Sequence, residues 1–408
     1  MGNIYTGIDL GSNSIKIVVA EKNKSKYNVL ACTSTPSRGI KNGQVVDVKL
    51  AASSISHCLN KIEEMLGFKI YKVICLVPPT NCKMDILIGT CDVINPNMIS
   101  GIDVSNVLNE AIKGYRLSNY EIITASPISF IVDDTENIKD PKGMSGDSLE
   151  AKVVIGSVPR EPLCRILEAI NLSGLETVDV AFTSTGDYYS VLSNEIEGLV
   201  GAIINIGENS TDVSIFNKGI QIKHSLLQFG SFNVDKDLAY VYSIDNMDAK
   251  KIKENFAFAL TSLADNNETI KVICNDKSKK EITQTGVSKV VESRLREILK
   301  VSKNEIKNLT NREIRYIIVT GGLSELQGFD YLVDEEFNGL ARVCKISTMG
   351  IRHNKYSSAF GVIKYFDEKL SLRGKSYDMI DEIDRENLVS NSLNSDNILG
   401  KEFEHLYD

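Results

Sequence analysis

Residues 8–17 read IDLGSNSIKI, and residues 204–213 read INIGENSTDV. Aligned on Gly11 and Gly207, both run apolar, Asp or Asn, apolar, Gly, any residue, Asn, Ser, and then into a second strand-like stretch. Such a turn suits an anion. Glycine allows close backbone approach, successive N–H groups converge, and small hydroxyls add donors. Gly11, Ser12, Asn13 and Ser14 form the first set, and Gly207, Asn209, Ser210 and Thr211 the second. Asp9, at the end of the first strand, is the candidate for holding Mg²⁺ through water, and Lys16 for neutralising phosphate charge. One copy is equally an ordinary hairpin turn. Two copies point to a ligand gripped between two lobes, so that its state is tied to closure of a cleft.

The copies are not equal. Asn205 stands where the first turn has Asp9, and an amide neither acts as a base nor holds a metal by charge. Glu208 replaces what should be a glycine close to phosphate and adds negative charge there, and Asp212 reads as structural. The expectation is binding with weak or absent hydrolysis, and no residue is assigned a catalytic role with confidence. A third element follows: strand residues 317–320 run into Gly321-Gly322-Leu323-Ser324, where a flat adenosine fits against bare backbone.

The elements that must position these residues follow from periodicity. Alternation around residues 4–20 and 201–222 predicts β-hairpins, which separates both turns from a Walker loop. Residues 47–66 carry apolar side chains at helical spacing and precede a buried-strand run at 73–77. Between 84 and 158, short strands, one helix at 104–115 and a polar loop at 133–147 suggest an inserted α+β subdomain. Helices are expected at 161–173, from 188, over 232–264 and at 287–306, with strands at 178–182 and 314–320. Beyond Lys369 apolar residues thin out and a Ser/Asn-rich stretch predicts an acidic, disordered linker.

With 408 residues, 42% apolar and 25% charged, the chain has material for two lobes. A net charge of -8 without a basic stripe excludes nucleic acid as the main partner. Eight cysteines form no CxxC pair, and the four histidines are scattered, so buried reduced thiols are expected rather than zinc. A strand within a few residues of Met1 leaves no room for a signal peptide, and no run of eighteen apolar residues is present.

Three nucleotide elements in this order resemble the actin, Hsp70 and sugar-kinase superfamily. Within it, the chain is similar to the bacterial FtsA cell-division family. The marks are PSRGIKNGQVVD at 36–47, KDPKGMSG at 139–146, YYSVL at 188–192, DLAYVY at 237–242 and KYSSAFGVIKYF at 355–366. The resemblance implies an α/β, actin-like duplicated ribonuclease-H-like fold. Subdomain 1A would take 1–84, 164–197 and 351–370, and an inserted SHS2 or 1C module 85–163. Subdomain 2A would take 198–230 and 312–350, and subdomain 2B 231–311, leaving 371–408 as linker and possible amphipathic helix.

It further implies ATP with Mg²⁺, filaments of the chain itself, and the C-terminal peptide of tubulin-like FtsZ bound through subdomain 2B. The place would be the inner face of the cell membrane at the division site. Lys253 matches the adenosine-contacting lysine of the family, while Lys250 replaces the neighbouring glutamate. The tail departs most: residues 371–408 hold four basic and nine acidic side chains, which opposes an anionic bilayer. Leu399, Phe403, Leu406 and Tyr407 would form only a weak apolar face for lipid. Two rival readings share the fold, an exopolyphosphatase-like phosphatase and a type IV pilus-assembly ATP-binding protein.

Overall fold

Strands Asn3–Leu10 and Ser14–Asn23 pair antiparallel, with Leu10 opposite Ile15 and Asp9 opposite Lys16. The computed structural model describes residues 2–380 apart from 25, 194, 347, 349 and 352. Lys26–Pro36 extends the hairpin to a meander, and Lys72–Val77 and Glu176–Phe182 add parallel strands on the other side. The second lobe repeats this order. Val200–Ile206, Thr211–Asn217 and Ile220–Leu227 form the meander, and Tyr316–Gly321 and Ala341–Val343 are the parallel additions. Asn205 opposes Asp212 as Asp9 opposes Lys16, so the two turns are equivalent in structure as well as in spelling.

The lobes meet on a crossing of two helices, Thr183–Val191 and Ser357–Leu372. A Cβ at Gly361 would lie 1.8 Å from the Gly186 carbonyl oxygen, so only glycine permits this approach. Beside the crossing, the Tyr188 ring stacks on Phe216 of the second sheet, 4.7 Å between centroids. Sheet and helix packing are thus continuous from one lobe to the other.

Between Lys72–Val77 and the helix Arg160–Leu172 lies a separate four-stranded sheet, Lys83–Asp92, Ser148–Pro159, Tyr120–Val132 and Thr135–Ile138 in that order. One helix, Gly101–Ile112, packs on it around a core of its own.

Several expectations need correcting. The helix expected at 104–115 begins earlier because Ser100 and Asp103 form a capping box, and Lys113 leaves the helical region at its end. The 133–147 loop contains the strand Thr135–Ile138. The stretch 232–264 is two helices, Ser231–Tyr242 and Asn246–Phe256, separated where Ser243 turns left-handed and Asp245 caps the next start, and then a single 3₁₀ turn. Gly321-Gly322 leads into a 3₁₀ turn, with the helix Phe329–Phe337 following later. Cys164 is exposed, although Cys58, Cys75, Cys274 and Cys344 are buried. Residues expected to open the linker are packed: Met379 is buried, its N–H donates to the Ile4 carbonyl at 3.1 Å, and the Asp378 carboxylate accepts from the Ile4 N–H at 3.1 Å. Leu399, Phe403, Leu406 and Tyr407 lie outside the described residues.

Candidate functional site

The two turns face one cavity of about 680 Å³ between the lobes. Gly11, Ser12, Asn13, Ser14 and Lys16 line it from the first lobe, and Gly207, Asn209 and Ser210 from the second. Gly321, Gly322, Leu323 and Lys253 complete the wall. Thr211 is the exception. It is fully buried and gives its hydroxyl to the Phe229 carbonyl at 2.8 Å, because its place on the strand turns it inward.

Each turn is braced from outside. Ser37 donates its hydroxyl to the Gly11 carbonyl at 2.5 Å, and its N–H meets the Asn13 carbonyl at 3.1 Å. The Gly43 N–H donates to the Ser12 hydroxyl at 2.8 Å. The segment 36–47 is therefore the scaffold of the first turn. In the second, the Gly207 N–H closes on the Ser210 carbonyl at 2.9 Å. The first two N–H groups of helix Ser231–Tyr242 hold the Gly207 and Glu208 carbonyls at 2.9 and 2.8 Å. Gly321 has φ +102°, and a Cβ there would lie 2.2 Å from the Ile206 carbonyl. Gly322 has no heavy atom within 4 Å of its Cβ position, which leaves bare backbone at the cavity.

Several of the charged groups are already paired. Lys16 Nζ lies 2.7 Å from Asp9 Oδ2, as the cross-strand register dictates. Lys253 Nζ lies 2.7 Å from Asp235 Oδ1, both side chains almost wholly buried. Burial raises the Asp235 pKa and the Lys253 charge opposes that rise. Asp212 accepts the Ser214 hydroxyl at 2.6 Å, and its Oδ2 lies 2.9 Å from His224 Nδ1.

Two residues of the site were given no role from sequence. Asp187, on helix Thr183–Val191, is buried at the cavity floor. Its Oδ1 accepts from the Ser357 and Ser358 hydroxyls at 2.8 and 2.7 Å, and its Oδ2 from the Asn205 amide at 2.6 Å. Burial pushes its pKa from 3.8 to about 6 against the pull of these donors, with the Asp9 charge adding to the rise. The helix starts at Thr183 rather than at 188 as expected, so Asp187 lies inside it as an acid in an otherwise uncharged helical stretch. The other residue is Lys250, known as a departure from the family pattern, whose Nζ donates to Asn13 Oδ1 across the cleft at 2.8 Å.

A fit for Mg²⁺ rests on Asp9 alone. Among the described residues no group of three or more His, Cys, Asp or Glu is placed to hold a metal. Magnesium takes one or two carboxylates and completes its shell with water and phosphate oxygens, so a single Asp9 beside a phosphate turn fits that habit.

Comparison with known proteins gives concordant matches. The family model "Cell division protein FtsA" matches residues 202–361, and the model "SHS2 domain inserted in FTSA" matches residues 83–156. Cell division protein FtsA of Streptococcus pneumoniae is 29% identical over 366 residues, spanning 88% of this chain and 79% of the relative. The Bacillus subtilis protein is 25% identical over 394 residues, 95% of this chain and 90% of the relative. Among solved structures, a PilM-PilN type IV pilus biogenesis complex aligns with TM-score 0.59 at 14% identity, over 88% of this chain and 98% of that one. MreB5 of Spiroplasma citri bound to ADP aligns with TM-score 0.54 at 11% identity, over 90% and 97%. These two identities carry the actin-like fold and nothing further. With the duplicated lobes, the inserted SHS2 sheet and sequence matches over 88% and 95% of the chain in agreement, the chain belongs to the FtsA family of bacterial cell division proteins.

Proposed function

We propose that this protein is an ATP-binding, filament-forming adaptor in which ATP and Mg²⁺ close the cleft and turnover is slow or absent. The observation that carries the reading is the meeting of both phosphate turns and the bare Gly321-Gly322 backbone on one cavity. Gly11, Ser12, Asn13 and Ser14 would hold phosphate from one side, and Gly207, Asn209 and Ser210 from the other. Asp9 would orient water on Mg²⁺, which supplies charge neutralisation to the phosphates. Lys16 sits beside it. Lys253 would reach the adenosine side, sharing its charge with Asp235. Slow turnover is supported by the second turn. Asn205 brings no carboxylate, Asp187 behind it already accepts three donors, and Asp212 accepts from Ser214.

The partners of the proposal have supporting surfaces. Ile86 and Ile88 are exposed on the outer strand of the inserted sheet, a free edge suited to contact between copies in a filament. Tyr240, Val241 and Met247 are exposed on the two helices assigned to subdomain 2B, where the FtsZ C-terminal peptide would dock. Among the described residues no helix is long and apolar enough to cross a membrane. Attachment to the inner face of the membrane would fall to Leu399, Phe403, Leu406 and Tyr407, with polymer avidity offsetting the acidic tail.

Purified full-length chain with ATP and Mg²⁺ should bind nucleotide, sediment as polymer, release little phosphate and retain an FtsZ C-terminal peptide in a pull-down. Rapid phosphate release from ATP or from polyphosphate would defeat the adaptor reading.

A further inference from the structure

Glu208 departs from the glycine expected in its turn and Lys250 from the family pattern, and they are separated by 42 residues of chain. In the fold they meet. Lys250 Nζ lies 3.4 Å from Glu208 Oε1 and donates to Asn13 Oδ1 at 2.8 Å. One ammonium, carried by helix Asn246–Phe256 of the second lobe, thus touches the tips of both phosphate turns. The negative charge that Glu208 brings to its turn is met by the positive charge at residue 250, so the two departures compensate each other.

The other lysines of the cavity are held differently. Lys16 and Lys253 each lie 2.7 Å from a carboxylate, with side chains 15% and 5% exposed. Lys355 gives its ammonium to the Ser34 hydroxyl at 2.9 Å. The Lys250 side chain is 31% exposed, its ion pair is long, and its shorter contact is with a neutral amide. A compact charge on a flexible four-carbon stem, held this loosely, exchanges readily for a stronger acceptor such as phosphate oxygen.

We infer that Lys250 is a specificity residue for the terminal phosphate of a nucleoside triphosphate, with Glu208 as the counter-charge that keeps it between the two turns. The inference rests on the nucleotide reading above. A triphosphate bound along both turns brings its last phosphate to the turn tips, where Lys250 leaves Glu208 for it and keeps the lobes bridged. A diphosphate offers no such oxygen. The bridge from helix Asn246–Phe256 to Asn13 therefore responds to the number of phosphates, and with it the closure of the cleft.

The test is the affinity of the full-length chain for ATP and for ADP, each with Mg²⁺, measured by calorimetry for wild type, Lys250→Gln and Lys250→Arg. Loss of one charge-assisted contact should lower the ATP-to-ADP affinity ratio of Lys250→Gln by about tenfold. Lys250→Arg, which keeps the charge, should hold the ratio within about threefold of wild type. Retained ADP binding in the Gln variant reports an intact fold. If wild type binds both nucleotides and Lys250→Gln leaves their ratio unchanged, the role of Lys250 is overturned and the nucleotide site stands. If wild type binds neither, the nucleotide reading falls and this inference with it.

Discussion

At the scale of the residue, Asp187 is the most consequential side chain in the cleft. A carboxylate buried between Ser357, Ser358 and Asn205 joins both lobes through side-chain bonds. Its pKa, raised to about 6 chiefly by burial, means that the folded chain binds this proton more tightly than the unfolded chain does. The stabilisation is complete below the unfolded value of 3.8 and is lost as pH rises through about 6. At neutral pH the ionised group then costs on the order of 2–3 kcal/mol relative to acid conditions. Asp187→Asn should remove this part of the pH dependence while the two serine hydroxyls still find an acceptor. Urea midpoints recorded from pH 4 to pH 8 would reveal it, and a slope equal to wild type would show that Asp187 does not titrate in that range.

At the scale of the element, the floor of the cleft depends on how closely helices Thr183–Val191 and Ser357–Leu372 approach. One carries Asp187 and the other carries Ser357 and Ser358, so their spacing sets the hydrogen bonds as well as the packing. Gly361→Ala places a methyl group where the Gly186 carbonyl lies, and backbone cannot yield as a flexible side chain does. The expected loss is about 2–3 kcal/mol, read as a lowered thermal midpoint together with weakened nucleotide binding. A variant that melts and binds as wild type would mean that the crossing tolerates separation.

At the scale of the whole molecule, the chain returns after its last described helix to the strand it began with. Met379 and Asp378 bond to Ile4, and the Tyr377 ring meets Phe366 edge-on at 6.2 Å between centroids. Whatever follows residue 380 therefore leaves from the N-terminal end of strand Asn3–Leu10, whereas Asp9 and the cleft lie at its other end. A chain ending at Leu372 should be less stable than one ending at Ile380 by about 2–4 kcal/mol, from the lost burial of Met379 and the lost hydrogen bonds. Equal thermal midpoints would contradict this. The comparison also selects the variant for lipid binding: co-sedimentation with anionic liposomes should set the full chain against one ending at Ile380, so that a lost anchor is not confused with a loosened body.

Much of this was legible in the residues. The paired spellings around Gly11 and Gly207 pointed to hairpins and to the equivalence of Asp9 with Asn205, because strand alternation and turn composition are local properties. The FtsA-like motifs located the inserted sheet in the same way. Helix starts at Gly101 and Asn246 were missed because capping by Ser100 and Asp245 replaces apolar periodicity there.

Tertiary structure alone decided which side chains share the cleft. Sequence listed Glu208 and Lys250 as separate departures, passed over Asp187, and gave Thr211 a place at the ligand. Packing two lobes on one helix crossing brings Lys250 to Asn13 and buries Asp187 under Asn205, while folding within the second lobe brings Lys250 to Glu208 and turns Thr211 toward Phe229. The physical reason is range: turns and strands follow from neighbours along the chain, whereas charge pairing and burial depend on atoms tens to hundreds of residues away.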